Sequence, residues 1–172
     1  MTESSTAAGR TPDADEVAAR LAISDVLARH CRGVDRADEA QLKDCYWPDA
    51  TVAYGGFNGS AHEFCAILPA SITRYTATQH TITNSIVERS GREARVETYV
   101  TAYHFLEQDR EMTYLGRYLD HFEERDGLWK MKHRQVVMDW NQNTAATAIM
   151  EGPPFDGLAR GARYPDDPLY QS

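Results

Sequence analysis

Near the midpoint of this chain the spacing of apolar residues changes from the 3.6-residue period of helices to the two-residue period of strands. Upstream, Val17, Leu21, Ser24 and Ala28 fall along one stripe, flanked by Ala18, Ile23, Val26 and Leu27. That pattern predicts an amphipathic helix over residues 15–33, capped by Asp13 or Asp15 and stopped at Gly33. A shorter helix is expected over 38–46, ended by Pro48. A short strand at 51–54 closes in the Gly55-Gly56 turn. A third helical stretch, 61–75, takes Asn58 or Ser60 as its cap and bends or restarts at Pro69. Downstream, residues 79–88, 94–106, 113–124 and 128–140 read as strands. Ala94, Val96, Thr98, Val100, Ala102 and His104 share one face, opposite Arg95, Glu97, Tyr99, Thr101 and Tyr103. Asp126-Gly127 is a hairpin signal between the last two strands. Helices followed by an antiparallel meander indicate an α+β fold, with the N-terminal helices packed into a curved, mostly antiparallel sheet. Such a sheet makes a cone-shaped α+β barrel with an interior cavity.

The 172 residues suit one domain with a buried core. Residues 1–14 are rich in small and polar types and read as a disordered arm; 15–142 form the folded domain; 143–172 form an irregular arm with Pro153-Pro154, Pro165 and Pro168. A net charge of −8 argues against nucleic acid and anionic membranes as partners. There is no apolar run of membrane-spanning length and no signal-peptide core. Cys31, Cys45 and Cys65, odd in number and without CxxC spacing, read as free thiols in a reducing compartment. The expected location is therefore the cytoplasm.

Chemistry is concentrated in a few residues. Asp35 follows the first helix; it can cap the next one, supported by Arg36, or it can hold a base. His80 opens the first long strand, where it is either a half-buried structural residue or that base. An unperturbed imidazole titrates near 6.5, and a carboxylate on one ring nitrogen fixes its tautomer and stabilises its charged form. His30, five residues before Asp35, can point at the same cavity mouth. His104 lies on a face of small apolar residues, as pocket lining or as core. Arg134 shares parity with Val136, Met138 and Trp140, so its guanidinium needs an anionic ligand, a leaving group or a buried acid. Tyr54, Tyr114 and Tyr118 are hydroxyl donors or packing aromatics. No HxH, HExxH or paired-cysteine spacing occurs, and His62-Glu63 with Cys65 does not converge on a helix. Neither a GxSxG elbow nor a GxGxxG loop is present. Neither a metal nor a cofactor is expected.

Several stretches carry a resemblance: residues 22–27 (AISDVL), 33–38 (GVDRAD), 46–50 (YWPDA), 78–84 (TQHTITN), and 116–118 (GRY) running into 122–129 (FEERDGLW). Over residues 15–140 the chain resembles the SnoaL-like family of the nuclear transport factor 2-like cone fold. Its dehydrochlorinase and dehydratase members use an Asp–His pair for cofactor-free elimination, and the resemblance puts that pair on Asp35 and His80. It puts pocket basic residues on His30 and Arg134, an aromatic wall on Tyr118, and a second acid or histidine on His104. The dehydratases carry tyrosine where His30 stands. The resemblance further implies a homo-oligomer, a trimer or else a dimer, whose C-terminal arms help close a pocket. The resulting expectation is a cofactor-free lyase or isomerase acting on a hydrophobic cyclic small molecule. Asp35 and His80 are its catalytic pair, and His30, Arg134, Tyr118, His104 and Tyr54 contact the substrate. The alternatives are a polyketide-type cyclase and a non-catalytic small-molecule-binding module.

Overall fold

The computed structural model describes residues 8–107, 109–149 and 151–171, so the first seven residues of the expected N-terminal arm lie outside the described residues. Helix α1, Ala14–Asp35, begins at Asp13, whose carboxylate accepts the Glu16 N–H at 2.8 Å. Gly33 does not stop it. The helix runs on to Asp35, and glycine serves at position 33 because Leu42 packs there; a Cβ would lie 2.9 Å from Leu42 Cγ. Helix α2, Glu39–Asp44, is capped by Asp38, which accepts the Gln41 N–H at 3.0 Å. The predicted end of this helix instead opens strand β1, Tyr46–Ala53, which runs through Pro48 with a register shift between Tyr46 and Thr51. Strand β2, Asn58–Ser60, leads into α3, Ala61–Ile72, capped by Ser60 and continuous through Pro69.

Four long strands follow: β3 (Ala77–Ser90), β4 (Glu93–Leu106), β5 (Arg110–Arg125) and β6 (Leu128–Ala145). All four exceed the predicted lengths, because pairing on both sides of β4 and β5 carries the ladder past the apolar residues that signalled each strand. Asp126 and Gly127 take positive φ values of 52° and 80° to turn β5 into β6. The sheet order is β2-β1-β6-β5-β4-β3, antiparallel except for the parallel β1–β6 pair. The sheet is mixed and does not close into a barrel. Helix α1 packs on β3 and β6, and α3 packs on β1 and β2.

The inner face carries the core. Ile23 and Leu27 from α1 meet Leu42, Tyr46, Val52, Phe122 and Met131, all at most 2 % exposed. The two-residue period of β4 is obeyed throughout: Ala94, Val96, Thr98, Val100, Ala102 and His104 are all buried. Gly116 on β5 is required by a close approach, since a Cβ there would sit 2.1 Å from the Val137 carbonyl oxygen. Tyr114 donates to that same carbonyl at 2.7 Å, so its hydroxyl is spent on the sheet.

The described residues of the C-terminal segment, 146–149 and 151–171, form no strand, and a 3-10 turn at Pro168–Tyr170 ends them. Arg36 Nη1 donates to Ala162 O and Asp167 Oδ2 at 2.9 and 3.1 Å, and the Tyr170 hydroxyl donates to Asp38 Oδ2 at 3.0 Å. Arg36 thus anchors the C-terminal segment and does not support Asp35. The three cysteines are buried free thiols, pushed up by burial to about 11 for Cys31 and about 12 for Cys45 and Cys65. Among the described residues no helix is long and apolar enough to cross a membrane.

Candidate active site

The end of α1 and the start of β3 bring Asp35 and His80 together. Asp35 Oδ1 accepts from His80 Nδ1 at 2.7 Å and from the Thr78 hydroxyl at 2.9 Å, while Oδ2 accepts the His80 backbone N–H at 2.9 Å. Three donors from one strand end therefore hold a single carboxylate. Burial alone raises the Asp35 carboxyl, but the hydrogen bonds from His80 and Thr78 outweigh it and hold the group below its usual range. A carboxylate on Nδ1 selects the tautomer with the proton on Nδ1, leaving the Nε2 lone pair open. Thr78 lies before the strand expected from residue 79, so sequence reasoning misses it; β3 in fact begins at Ala77, which puts Thr78 on the same face as His80.

The pair sits at a boundary. Outward, a groove of about 530 Å³ is lined by Cys31, Asp35 and Arg36, by His80 and Ile82, and by Asp167 of the C-terminal segment. On the inner side the His104 ring meets His80 edge-on at 5.5 Å between centroids and lies 4.6 Å from the Tyr75 ring. His104 Nδ1 is buried without a hydrogen-bond partner. Burial, then the neighbouring His80, push its imidazole down to about 4, so His104 is neutral at working pH.

The remaining expected residues form a second cluster. Arg134 Nε and Nη2 each donate at 2.7 Å to the two carboxylate oxygens of Asp120, its cross-strand partner. The third contact, Arg134 Nη1, donates to His30 Nδ1 at 2.9 Å, and His30 Nε2 meets the Tyr46 hydroxyl at 3.0 Å. The Tyr118 ring lies under the guanidinium, 3.9 Å from Cζ. Arg134 and His30 are fully buried. Burial drives His30 well below its ordinary value, reinforced by the Arg134 charge, so this imidazole is neutral. Burial also pushes Asp120 upward, and the bidentate guanidinium opposes it. Guanidinium does not give up its proton, so the pair is a buried ion pair. Of the three reasons a guanidinium could need on that face, the buried acid is the one present.

Asp120 was signalled by parity, being an acid between Tyr118 and Phe122 on a buried strand face. Tyr46 carried no signal, because its sequence context read as a helix end. Tyr54 stacks on Phe64, with 4.1 Å between centroids, and its buried hydroxyl lies beside Arg134 and Tyr46. Among the described residues, Glu93, His121 and Glu123 bring together three possible metal-ligating atoms, but Glu123 is paired with Arg125 and Glu93 is exposed.

The model of the SnoaL-like domain matches residues 15–135. Hexachlorocyclohexane dehydrochlorinase 1 of Sphingobium indicum is 26% identical over 147 residues, 83% of this chain and 94% of the relative. The crystal structure of a type 2 hexachlorocyclohexane dehydrochlorinase superposes with a TM-score of 0.72 at 26% identity, covering 86% of this chain and all of the other. A scytalone dehydratase-like protein from Novosphingobium aromaticivorans shares the fold, with a TM-score of 0.68 at 23% identity over 79% of this chain and 96% of its own.

Proposed function

The chain belongs to the SnoaL-like family, and we propose that within it this protein is a cofactor-independent lyase or isomerase of the dehydratase or dehydrohalogenase type. His80 Nε2 takes a proton from carbon on a hydrophobic cyclic small molecule. Asp35 keeps the ring in the required tautomer and stabilises the imidazolium that forms, the orienting role of the acid in catalytic triads. The observation that carries this reading is the 2.7 Å bond from His80 Nδ1 to an Asp35 carboxylate held by two further donors. It leaves Nε2 with no hydrogen bond among the described residues, in a chain whose relatives include a dehydrochlorinase. His104, Tyr54 and Tyr118 line the substrate, and His30 and Arg134 act behind them.

The test uses two probes, γ-hexachlorocyclohexane followed by chloride release and 3-hydroxycyclohexanone followed by enone absorbance. Each is run with wild type, Asp35→Asn and His80→Ala. Turnover lost in both variants supports the reading, and turnover kept in either overturns it. A product with a new carbon–carbon bond assigns a cyclase instead. Ring-ligand binding that survives both substitutions, with no turnover in wild type, assigns a binding module.

We also propose a homo-oligomer, a trimer or dimer, joined through the outer sheet face. Tyr99, Tyr103 and Trp140 are 43%, 45% and 53% exposed on that face, more aromatic surface than a monomer usually leaves in water. Sedimentation equilibrium checks this, and a monomer at micromolar concentration overturns it.

A further inference from the structure

We infer that Thr78 is a positioning residue for the Asp35–His80 pair: its hydroxyl binds Asp35 Oδ1, the oxygen that faces the imidazole, and so fixes the carboxylate and shares its charge. The inference deepens the proton-abstraction reading and rests on it only for the reaction served.

The three bonds to Asp35 differ in what they can do. An ionised carboxylate only accepts, so each contact is a donation to it. Oδ2 takes the His80 backbone N–H at 2.9 Å, a bond that any residue but proline at position 80 would give. Oδ1 takes the His80 Nδ1–H at 2.7 Å and the Thr78 hydroxyl at 2.9 Å. Among the described residues, Thr78 thus supplies the side-chain donor that competes with the imidazole for one oxygen. Thr78 and His80 stand two residues apart on one face of β3, opposite His104 and Ala102 of β4. Branching at Cβ restricts χ1 of threonine, so the hydroxyl is presented in a set direction.

The competition has a sign. A hydrogen bond to the charged form of an acid draws off part of its negative charge. Less of that charge then reaches the imidazole, and the imidazolium is stabilised less than it would be by Asp35 alone. A base that takes a proton in each cycle must also release it, and too strong a partner would keep it charged. The pair is nearly buried, so water dilutes this competition little.

The other titratable neighbours do not substitute for Thr78. His30 and Cys31 stand on the α1 side, Arg32, Arg36 and Asp167 along the groove, and His104 on β4. His30 and His104 are neutral, and burial keeps the Cys31 thiol protonated. Arg36 is paired with Asp167, and Arg32 is bonded to Gln41.

The experiment follows the His80 ring by nitrogen-15 spectra against pH in the full chain without ligand. Thr78→Val keeps the branched shape and deletes the hydroxyl, whereas Thr78→Ser keeps the hydroxyl and deletes the methyl. The His80 titration is expected to move to higher pH in Thr78→Val and to return to the wild-type position in Thr78→Ser. Thr78→Ala, a second chain without the hydroxyl, should match Thr78→Val. Turnover of whichever probe wild type converts should fall about fivefold to tenfold in Thr78→Val with KM unchanged, the value of one hydrogen bond, and recover in Thr78→Ser. A packing role predicts the reverse order of damage, because serine leaves the larger gap, and no movement of the titration. An unmoved or lowered titration in Thr78→Val, or the same shift in Thr78→Val and Thr78→Ser, overturns the proposal. The spectra need no turnover: a wild type that converts neither probe counts against proton abstraction, and the titration still decides the role of Thr78.

Discussion

Asp35 with His80 and Asp120 with Arg134 are each a carboxylate facing a nitrogen base at 2.7 Å. Both lie on the inner side of one sheet, and they differ in what is left over. The Asp120–Arg134 pair is sealed, with every guanidinium nitrogen committed to Asp120 or His30 and neither side chain exposed. The Asp35–His80 pair borders the groove, its side chains are 8% and 9% exposed, and one ring nitrogen remains open. A site able to move a proton needs an atom that is held in place and yet unspent. The sealed pair supplies order and polarity to its neighbours, and the bordered pair keeps one ring nitrogen able to accept a proton.

The sharpest way to break this comparison is Asp35→Asn. Turnover of whichever probe wild type converts should fall about 10³- to 10⁴-fold, by the role of the orienting acid in triads. Its thermal midpoint should shift by only a few degrees, so kinetics and calorimetry together separate the two readouts.

The sealed pair should show the opposite profile. Arg134→Met leaves Asp120 as a buried charge without its partner and should destabilise the fold by about 3–5 kcal/mol in urea titrations. The double replacement Asp120→Leu with Arg134→Met should recover most of that loss. A single-variant loss no larger than that of a surface charge would remove the distinction between the pairs.

A third prediction concerns acid. His30 and His104 are held neutral in the folded state, below the ordinary value of 6.5, with His104 at about 4. The unfolded chain therefore binds more protons as pH drops from 6.5. Stability falls with falling pH, by about 1.4 kcal/mol per pH unit per histidine within that window. For His104 the fall ends near pH 4, while the depressed Asp35 carboxyl adds loss in the same direction at lower pH. Denaturant midpoints measured between pH 7 and 4 check this, and His104→Phe should make the dependence shallower by up to one proton.

The smallest effect is expected in the C-terminal segment. Arg36→Gln removes the ion pair with Asp167, whose side chains are 28% and 11% exposed. It should cost about 0.5–1 kcal/mol and speed limited proteolysis of residues 146–171. Unchanged cleavage would mean that the remaining bonds, among them Tyr164 N–H to Arg36 O at 2.6 Å and the Tyr170 hydroxyl to Asp38 Oδ2 at 3.0 Å, hold the segment without it.

Much of the architecture was legible in local pattern. The 3.6-residue stripe gave α1, and the alternation of β4 named its buried face residue by residue. The Asp126-Gly127 turn set the β5–β6 hairpin, because both of its residues take positive φ, a requirement met locally. Misreadings occurred where a residue's reason was non-local. Gly33 looked like a helix stop, yet its role is to admit Leu42. Tyr46 looked like a helix end, yet it begins a strand whose partner, β6, lies more than eighty residues away.

By itself, then, the sequence determined the order of elements, the faces of the strands and the residue types able to carry acid–base chemistry, because periodicity and turn chemistry are local. Which of those residues meet was decided by tertiary structure alone. Asp35 finds His80 and Thr78 because α1 lies against β3. Arg134 is taken by Asp120 because β5 and β6 pair in the register that sets them opposite each other. A side chain's chemistry depends on which of its atoms remain unsatisfied, and that is a property of packing across the whole fold.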